Sequence, residues 1–384
     1  MTQTNLSLKK LQGIKPKGVK QADKTIQKRI VLLCSEMVDK YSNNPELGSV
    51  QSDMYVAVEK SLRDLDFGEK ELTQYIHSRF IRNETENNEL YSGIFSGCLL
   101  ELLCRRADVR REKFNFYIDG KGKEYNKIFF QANLVHELTV ENFKGDYLCG
   151  VIGGQGGRAD AINIVNCEGY GPGAQVAQHG GILKSLNIIN HSGGGCAIAA
   201  GAQTKLIEEI NILNSQGSWN GAQIGMQGGT VKRVRILNNK GDRCAAYLGD
   251  YGGCIDSLIV INSEGDKLAD THDTSLNLAY LDYALFHNIS GKDLLNHFQT
   301  GDLIQGQNAK ECYDFISNYI LKKADNRFGI QHKLDLNQTL DSFRHKSYDE
   351  IKNIFTELNY ALMNYEAYEL SVRLKKRKKL EELK

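Results

Sequence analysis

Asn166 to Ile189 reads NCEGYGPGAQVAQHGGILKSLNII, and the following segment, Asn190 to Leu213, reads NHSGGGCAIAAGAQTKLIEEINIL. The two segments belong to one repeat, because an asparagine recurs every 24 residues without a gap and a glycine follows three residues later. The six asparagines are Asn142, Asn166, Asn190, Asn214, Asn238 and Asn262. A period of this length is typical of a solenoid, in which every repeat adds one unit to a stack.

Four positions of the repeat are aliphatic in nearly every copy, at ten, seventeen, twenty and twenty-two residues past the asparagine. The last two positions are separated by two residues, which is the period of a β-strand with one buried face. A helix would place such positions three or four residues apart. The repeat therefore predicts a parallel β-helix with 24-residue coils.

The apolar pattern changes on both sides of the repeat. Apolar residues before residue 113 recur at spacings of three and four, and residues 348–372 follow a heptad, so helices are predicted on both sides. The fold class is therefore α+β. The predicted regions are a flexible basic arm (1–20), an α-helical N-terminal domain (21–113), the β-helix (114–275) and an α-helical C-terminal region with a long terminal helix (276–384).

The repeated asparagines are interpreted as structural. Each one follows an apolar position and precedes a glycine turn. Asparagine tolerates left-handed backbone conformations and satisfies turn backbone groups with its side chain. We therefore expect an inward ladder, in which each side chain bonds the backbone of the next coil.

A fifth aliphatic position comes directly after the buried position twenty-two. If position twenty-two points inward, position twenty-three points outward. An outward apolar stripe of this length needs a cover, either a helix of this chain or another subunit. The stripe therefore predicts a protein partner or self-association through Val165, Ile189, Leu213, Leu237 and Ile261.

Two places in the repeat region are candidates for catalysis. Asp242 and Asp266 follow glycine turns on adjacent coils, and carboxylate pairs about 5–9 Å apart hydrolyse glycosides. His272 and Asp273 lie in the segment where the period ends. Turn aspartates are more often structural, and a loop that closes the stack would also explain the second pair. The catalytic residues, if there are any, stay unknown.

The chain contains nine cysteines and no CxxC pair. Cys196 and Cys244 share a column two coils apart, a separation of ~9.6 Å by rung spacing. That distance is too long for a disulfide and supplies no four-ligand zinc set. No metal or cofactor is therefore predicted. Because the first 20 residues are polar and basic and no apolar run reaches 18 residues, we expect reduced thiols, a cytoplasmic protein and no membrane contact.

The net charge of +1 gives no global attraction to nucleic acid. Both termini are nevertheless basic, and the C-terminal cluster comprises Lys375, Lys376, Arg377, Lys378 and Lys379. Nucleic acid is therefore a possible partner through the termini. The alternative is a solvated helix end, where cations suit the helix dipole.

Runs such as Ile224 to Val231 (IGMQGGTV) and Asn239 to Asp242 (NKGD) resemble the GXGXG repeat. That repeat builds the right-handed β-helix of the glutamate synthase C-terminal domain and of one component of formylmethanofuran dehydrogenase. The resemblance implies a right-handed coil that shapes the contacts between subunits and holds other modules. A second, purely architectural similarity is to the SufB and SufD iron–sulfur assembly scaffolds.

The favoured hypothesis is a non-catalytic scaffold or assembly subunit, because the repeats carry structure and little surplus chemistry. A carbohydrate-active or other β-helix enzyme is the first alternative, for which Asp242 and His272 are the residues to test. An iron–sulfur assembly scaffold using Cys196, Cys244 or Cys254 is the second alternative.

Overall fold

The computed structural model describes residues 24–42, 47–79, 86–268 and 280–290, and of the last range the backbone alone. Four helices precede eight strands in the described chain. The helices are α1 (Lys24–Tyr41), α2 (Leu47–Leu62), α3 (Glu69–Arg79) and α4 (Glu86–Val109). The strands are β1 (Asn115–Asp119), β2 (Leu134–Glu141), β3 (Arg158–Val165), β4 (Ile182–Ile189), β5 (Leu206–Leu213), β6 (Thr230–Leu237), β7 (Cys254–Glu264) and β8 (Tyr280–Ser290).

The eight strands form one parallel sheet in chain order, from β1 to β8. Ile162 pairs with Leu186 and Leu186 pairs with Ile210, so equivalent residues of successive repeats lie side by side. The four aliphatic columns fill the interior and belong to one hydrophobic core. The predicted parallel β-helix with 24-residue coils is thus confirmed, while its right-handed sense stays a prediction.

The half of each coil that lacks regular strands places alternate residues in the left-handed region. From Tyr147 to Gln155, every second residue has a φ between 52° and 68°. The N–H of Tyr147 donates to Tyr170 O in the next coil, and the N–H of Cys149 donates to Ile128 O in the preceding coil. Left-handed φ costs ~1–2 kcal/mol per non-glycine residue, and these hydrogen bonds between coils offset that cost. This conformation explains why 25 of the 37 glycines lie in the repeat.

Helix α4 closes the N-terminal end of the stack. A Cβ atom at Gly93 or Gly97 would collide with the carbonyl oxygen of Lys127 or Phe130, so the helix backbone lies directly against the first coil. The two glycines are four residues apart and therefore share one face of the helix. Close approach of the backbone is the reason that this apolar helix carries glycine in its interior.

Two side chains of α4 complete the hydrogen bonding of the first coil. Ser96 Oγ accepts the N–H of Phe129 at 2.8 Å, and Glu101 Oε2 accepts the N–H of Asn133 at 2.9 Å. Glu101 is buried and also bonds Arg105 at 2.7 Å. In later coils the N–H groups equivalent to that of Phe129 bond the preceding coil, as Gly153 bonds Ala132 O, so Ser96 Oγ takes the place of a missing coil.

The strands extend past residue 275, where the sequence pattern ends the β-helix and begins a helical region. Strand β8 pairs with β7 in parallel, but Cys254 lies beside Tyr280, an offset of 26 residues instead of 24. Two extra residues in the connection therefore hide the period. Leu281, Ala284 and Phe286 still occupy the columns of the apolar core positions in β7.

The remaining predicted regions are described only in part. The four helices lie within the predicted region 21–113, and they share one hydrophobic core with the coils. The basic arm 1–20 and the long helix predicted over 348–384 lie outside the described residues.

Candidate functional site

The repeated asparagines form a ladder of side-chain amides along one corner of the β-helix. Asn190 Nδ2 donates to Asn166 Oδ1 at 2.8 Å, and Asn214 Nδ2 donates to Asn190 Oδ1 at 3.0 Å. Asn238 donates to Asn214 in the same way. At the N-terminal end of this ladder, Asn166 Nδ2 donates to the carboxylate of Glu141 at 3.1 Å. The ladder therefore holds successive coils in register through their side chains.

This arrangement differs from the expected inward ladder with bonds to the backbone. The described asparagines have φ values of 52–56°, and all except Asn214 are partly exposed. A left-handed residue at the corner sends its side chain along the stack, where the next amide is the nearest partner. Asn142 follows the same rule with Asp119 as its acceptor at 3.0 Å. The side chain of Asn262 lies outside the described part.

A polar groove of about 370 Å³ runs beside the amide ladder. Its wall includes Glu168, Ser192, Gln216 and His191. His191 is buried, and its Nε2 donates to Gly169 O at 2.7 Å. Burial lowers the pKa of His191 to about 4, so the ring is neutral at pH 7. The groove can offer hydrogen bonds, but its histidine is a poor proton donor.

A second ladder lies on the outer face of the sheet. Asn163 Nδ2 donates to Thr139 Oγ1 at 3.1 Å, Asn187 to Asn163 at 2.8 Å, and Asn211 to Asn187 at 2.9 Å. The next rung is Arg235, whose Nη1 donates to Asn211 Oδ1 at 3.1 Å. All five side chains are buried. Buried polar groups need such partners, so the ladder makes burial of this face tolerable.

The outward aliphatic column lies next to the second ladder. Val165, Ile189, Leu213 and Leu237 are each at most 4% exposed, although none belongs to the interior core. Ile261 lies in β7 beside Leu237, and its side chain is outside the described part. In the single chain this column is therefore a covered surface.

The candidate catalytic carboxylate Asp242 has a structural partner. Its Oδ1 accepts the N–H of Asp266 at 2.9 Å. The same bond recurs in an earlier coil, where Asp146 Oδ1 accepts the N–H of Tyr170 at 2.7 Å. A carboxylate in this column thus holds the backbone of the next coil, as turn aspartates commonly do.

Several predicted site residues lie outside the described ranges. They are His272, Asp273, Lys375, Lys376, Arg377, Lys378 and Lys379. The catalytic and nucleic-acid hypotheses that depend on them stay predictions.

The cysteines of the repeat are placed for packing. Cys196 and Cys244 are fully buried, and burial raises the pKa of the Cys244 thiol to about 12 and also raises that of the Cys196 thiol. Cys254 is half-buried, with its sulfur 3.8 Å from an oxygen of Asp256. In the described part of the chain, no three His, Cys, Asp or Glu side chains form a group that would hold a metal ion. Because burial raises their pKa, the thiols of Cys196 and Cys244 stay neutral at pH 7, and a neutral thiol binds metals weakly.

The glycine-rich side of the β-helix carries a row of aromatic side chains, here named the aromatic stripe, which consists of Tyr147, Tyr170, Trp219 and Tyr247. The ring centroids of Tyr147 and Tyr170 are 5.8 Å apart, and those of Trp219 and Tyr247 are 5.9 Å apart. The guanidinium carbon of Arg243 lies 4.5 Å from the Trp219 ring centroid. Both pairs have spacings at which aromatic rings attract each other.

Glycines in the neighbouring coils leave the space that the Tyr147 and Tyr170 rings occupy. A Cβ atom at Gly171 would lie 3.0 Å from the Tyr147 ring, and one at Gly195 would lie 2.9 Å from the Tyr170 ring. Tyr147 and Trp219 share a column three rungs apart, a distance of ~14 Å. The stripe therefore runs along the stack, and its members are partly exposed.

Comparison of the chain with protein-family models, with curated proteins and with solved structures finds no match. The geometry of the chain itself therefore carries the functional argument, and the resemblance to the GXGXG repeat stays a prediction. None of the described helices combines the length and the apolar character needed to cross a bilayer.

Sequence reasoning missed both the second amide ladder and the aromatic stripe. The ladder leaves a signal, because Asn163, Asn187 and Asn211 recur at the same 24-residue period as the corner asparagines. The stripe leaves a weaker one, because its members occupy three different columns. Only the backbone conformation reveals that these columns lie on one face.

Proposed function

We propose that this chain is a non-catalytic interaction subunit that binds a protein partner through the aromatic stripe. The observation that carries the proposal is the contact of the partly exposed Trp219 with Tyr247 and Arg243 on the glycine-rich side of the β-helix. Tryptophan, tyrosine and arginine are the residues that most often dominate binding energy at protein interfaces.

The β-helix suits this role because it holds the stripe rigidly. Each coil is bonded to its neighbours by strands, by the left-handed ladder and by two rows of side chains. Rings that are already packed lose little conformational entropy when a partner binds. Lys127, 6.0 Å from the Tyr147 ring, and Arg243 add positive charge at the two ends of the stripe. An acidic or aromatic partner surface would complement that charge.

The test is recovery of a partner from native extract with the full-length protein and two variants. Trp219→Ala removes the largest ring of the stripe. Tyr251→Ala is the matched control, because Tyr251 is an aromatic residue of the same β-helix and is 55% exposed, outside the stripe. The proposal expects one stoichiometric partner with wild type and Tyr251→Ala, and a loss of at least tenfold with Trp219→Ala. Equal recovery by all three proteins would refute it.

A carbohydrate-active protein is the alternative that the partly exposed rings of the stripe also support. That role would use the stripe to hold a saccharide and a carboxylate such as Asp242 to act on it. The alternative requires retention of a polysaccharide by wild type, reduced retention by Trp219→Ala, and loss of hydrolysis in Asp242→Asn. The iron–sulfur alternative requires iron and visible absorbance in protein that is purified without oxygen.

A further inference from the structure

We propose that the interior of this β-helix binds a row of ordered water molecules between His191 and Ser263. The proposal is independent of the partner-binding function. It concerns the residues one position past the corner asparagines, here named the inner polar column. The column comprises Cys167, His191, Ser215, Asn239 and Ser263, each at most 2% exposed.

The inner polar column contains buried polar atoms that no described part of the chain satisfies. His191 Nδ1, Asn239 Nδ2 and Ser263 Oγ have no hydrogen-bond partner among the described residues. Buried polar atoms in folded proteins almost always have a partner, because burial of an unmet donor or acceptor is destabilising. Three such atoms in one column therefore point to a ligand that lies along that column.

The known bonds of two of these residues define what the ligand must offer. His191 Nε2 donates to Gly169 O at 2.7 Å, so Nδ1 carries a lone pair and needs a donor. Asn239 Oδ1 accepts from Asn220 Nδ2 at 2.7 Å, so the N–H groups of Asn239 Nδ2 need an acceptor. A cation would satisfy only His191, and an anion would satisfy only Asn239. Water both donates and accepts, and it suits both atoms.

The spacing of the coils suits bridging water molecules. Residues of the column in successive coils are ~4.8 Å apart, which is too far for a direct hydrogen bond between equivalent atoms. A water molecule that bonds two atoms at ~2.8 Å each, at a tetrahedral angle, spans ~4.6 Å. One water molecule for each pair of adjacent coils would therefore connect His191 to Ser215, Ser215 to Asn239, and Asn239 to Ser263.

The surroundings of the row are polar along its length and apolar at its ends. Small residues face the inner polar column: Cys196 Sγ lies 3.9 Å from Ser215 Oγ, and Asn220 contacts the next member of the column. Phe143 occupies the same column two coils before His191, and Leu268 follows the facing column at the other end. Both are buried members of the hydrophobic core. A polar interior space of this kind is where proteins retain buried water.

A high-resolution crystal structure of the full-length protein is the first test. We expect an ordered water oxygen within ~3.2 Å of each of the three unmet atoms, His191 Nδ1, Asn239 Nδ2 and Ser263 Oγ. Electron density that shows these atoms bonded to rotated side chains instead would overturn the proposal. So would an anomalous signal from a bound ion in the row.

Magnetic relaxation dispersion of water deuterons is the second test, because it counts water molecules in solution that exchange slowly with the bulk. Ser263→Ala removes one polar atom of the row. Thr204→Val is the matched control, because Thr204 is a buried residue of the same β-helix whose hydroxyl already donates to Gly181 O at 2.9 Å. We expect at least one slowly exchanging water fewer in Ser263→Ala than in wild type or Thr204→Val. Equal numbers in all three proteins would overturn the proposal.

Discussion

The guanidinium group of Arg235 lies 3.1 Å from Asn211 Oδ1 and 3.1 Å from Glu209 Oε2, and thereby ends a ladder of amides with an ion pair whose arginine is buried and whose glutamate is 19% exposed. Arg235 is 1% exposed, so its charge depends on these partners. The ladder and the ion pair together make a polar stripe that is compatible with a buried face.

Removal of the guanidinium should therefore be costly. Arg235→Leu leaves Glu209 as a charge without this partner, and we expect the free energy of unfolding to fall by about 3 kcal/mol. Arg233→Leu is the control, because Arg233 lies on the same strand, is 26% exposed and is 3.7 Å from the same carboxylate. It should cost less than about 1 kcal/mol. Urea denaturation of both variants measures the difference, and equal losses would contradict the role of the buried arginine.

Substitution of Gly97 in helix α4 should change the free energy of unfolding in the direction opposite to that expected from helix propensity. In an isolated helix, Gly97→Ala would stabilise by ~1 kcal/mol. In this chain the new methyl group would meet the carbonyl of Phe130, so we expect a loss of about 1–3 kcal/mol. Glu89→Ala, at a half-buried position of the same helix, is the control and should be near neutral. Thermal unfolding followed by circular dichroism distinguishes the two signs.

His191 should make stability depend on pH below neutrality. Its pKa is lowered from 6.5 to about 4 in the folded chain, because burial disfavours the charged ring. Between these values the unfolded chain binds a proton that the folded chain does not, so stability falls as the pH is lowered from 6.5 to 4. The loss reaches roughly 3 kcal/mol at pH 4, and above pH 6.5 this group contributes none.

The variant His191→Gln isolates that contribution. Other groups titrate in the same range, so the informative quantity is the difference between wild type and variant across pH 7 to 4, measured by urea denaturation. If the free energy of unfolding of wild type and of His191→Gln changed in parallel with pH, folding would not lower the pKa of His191, and the prediction would be wrong.

Two substitutions of Asp242 distinguish a structural role of its carboxylate from a catalytic one. Asp242→Asn keeps an oxygen that can accept the N–H of Asp266, so stability should change by less than about 0.5 kcal/mol. Asp242→Ala removes the acceptor and should cost about 1 kcal/mol. Thermal unfolding of the two variants tests this order. A catalytic carboxylate would instead lose its function in both variants.

The repeat predicted the fold because identical coils place identical residues in columns. The spacing of two between positions such as Ile162 and Ile164 identified the strands and their buried face. The end of the stack was harder to predict. Strand β8 keeps the apolar columns, but the 26-residue offset from Cys254 to Tyr280 removed the period on which the pattern depended.

The candidate site could be predicted only in part, because side-chain direction depends on the backbone conformation. A run of alternating left-handed residues turns positions such as Tyr147 and Tyr170 onto one face, although their spacing of 23 residues places them in different columns. The same effect turned the corner asparagines toward one another. Sequence spacing identifies columns, but it does not say which way a left-handed corner points.

The hydrogen bonds that Ser96 and Glu101 accept from the first coil also affect whether a second copy of this protein can pair with that end of the stack. The N–H groups of Phe129 and Asn133 are occupied, so these two donors cannot take part in strand-like addition of a second molecule. A truncated chain that begins after Val109 would expose that edge as a template. Such a chain should therefore associate end to end more readily than the intact one.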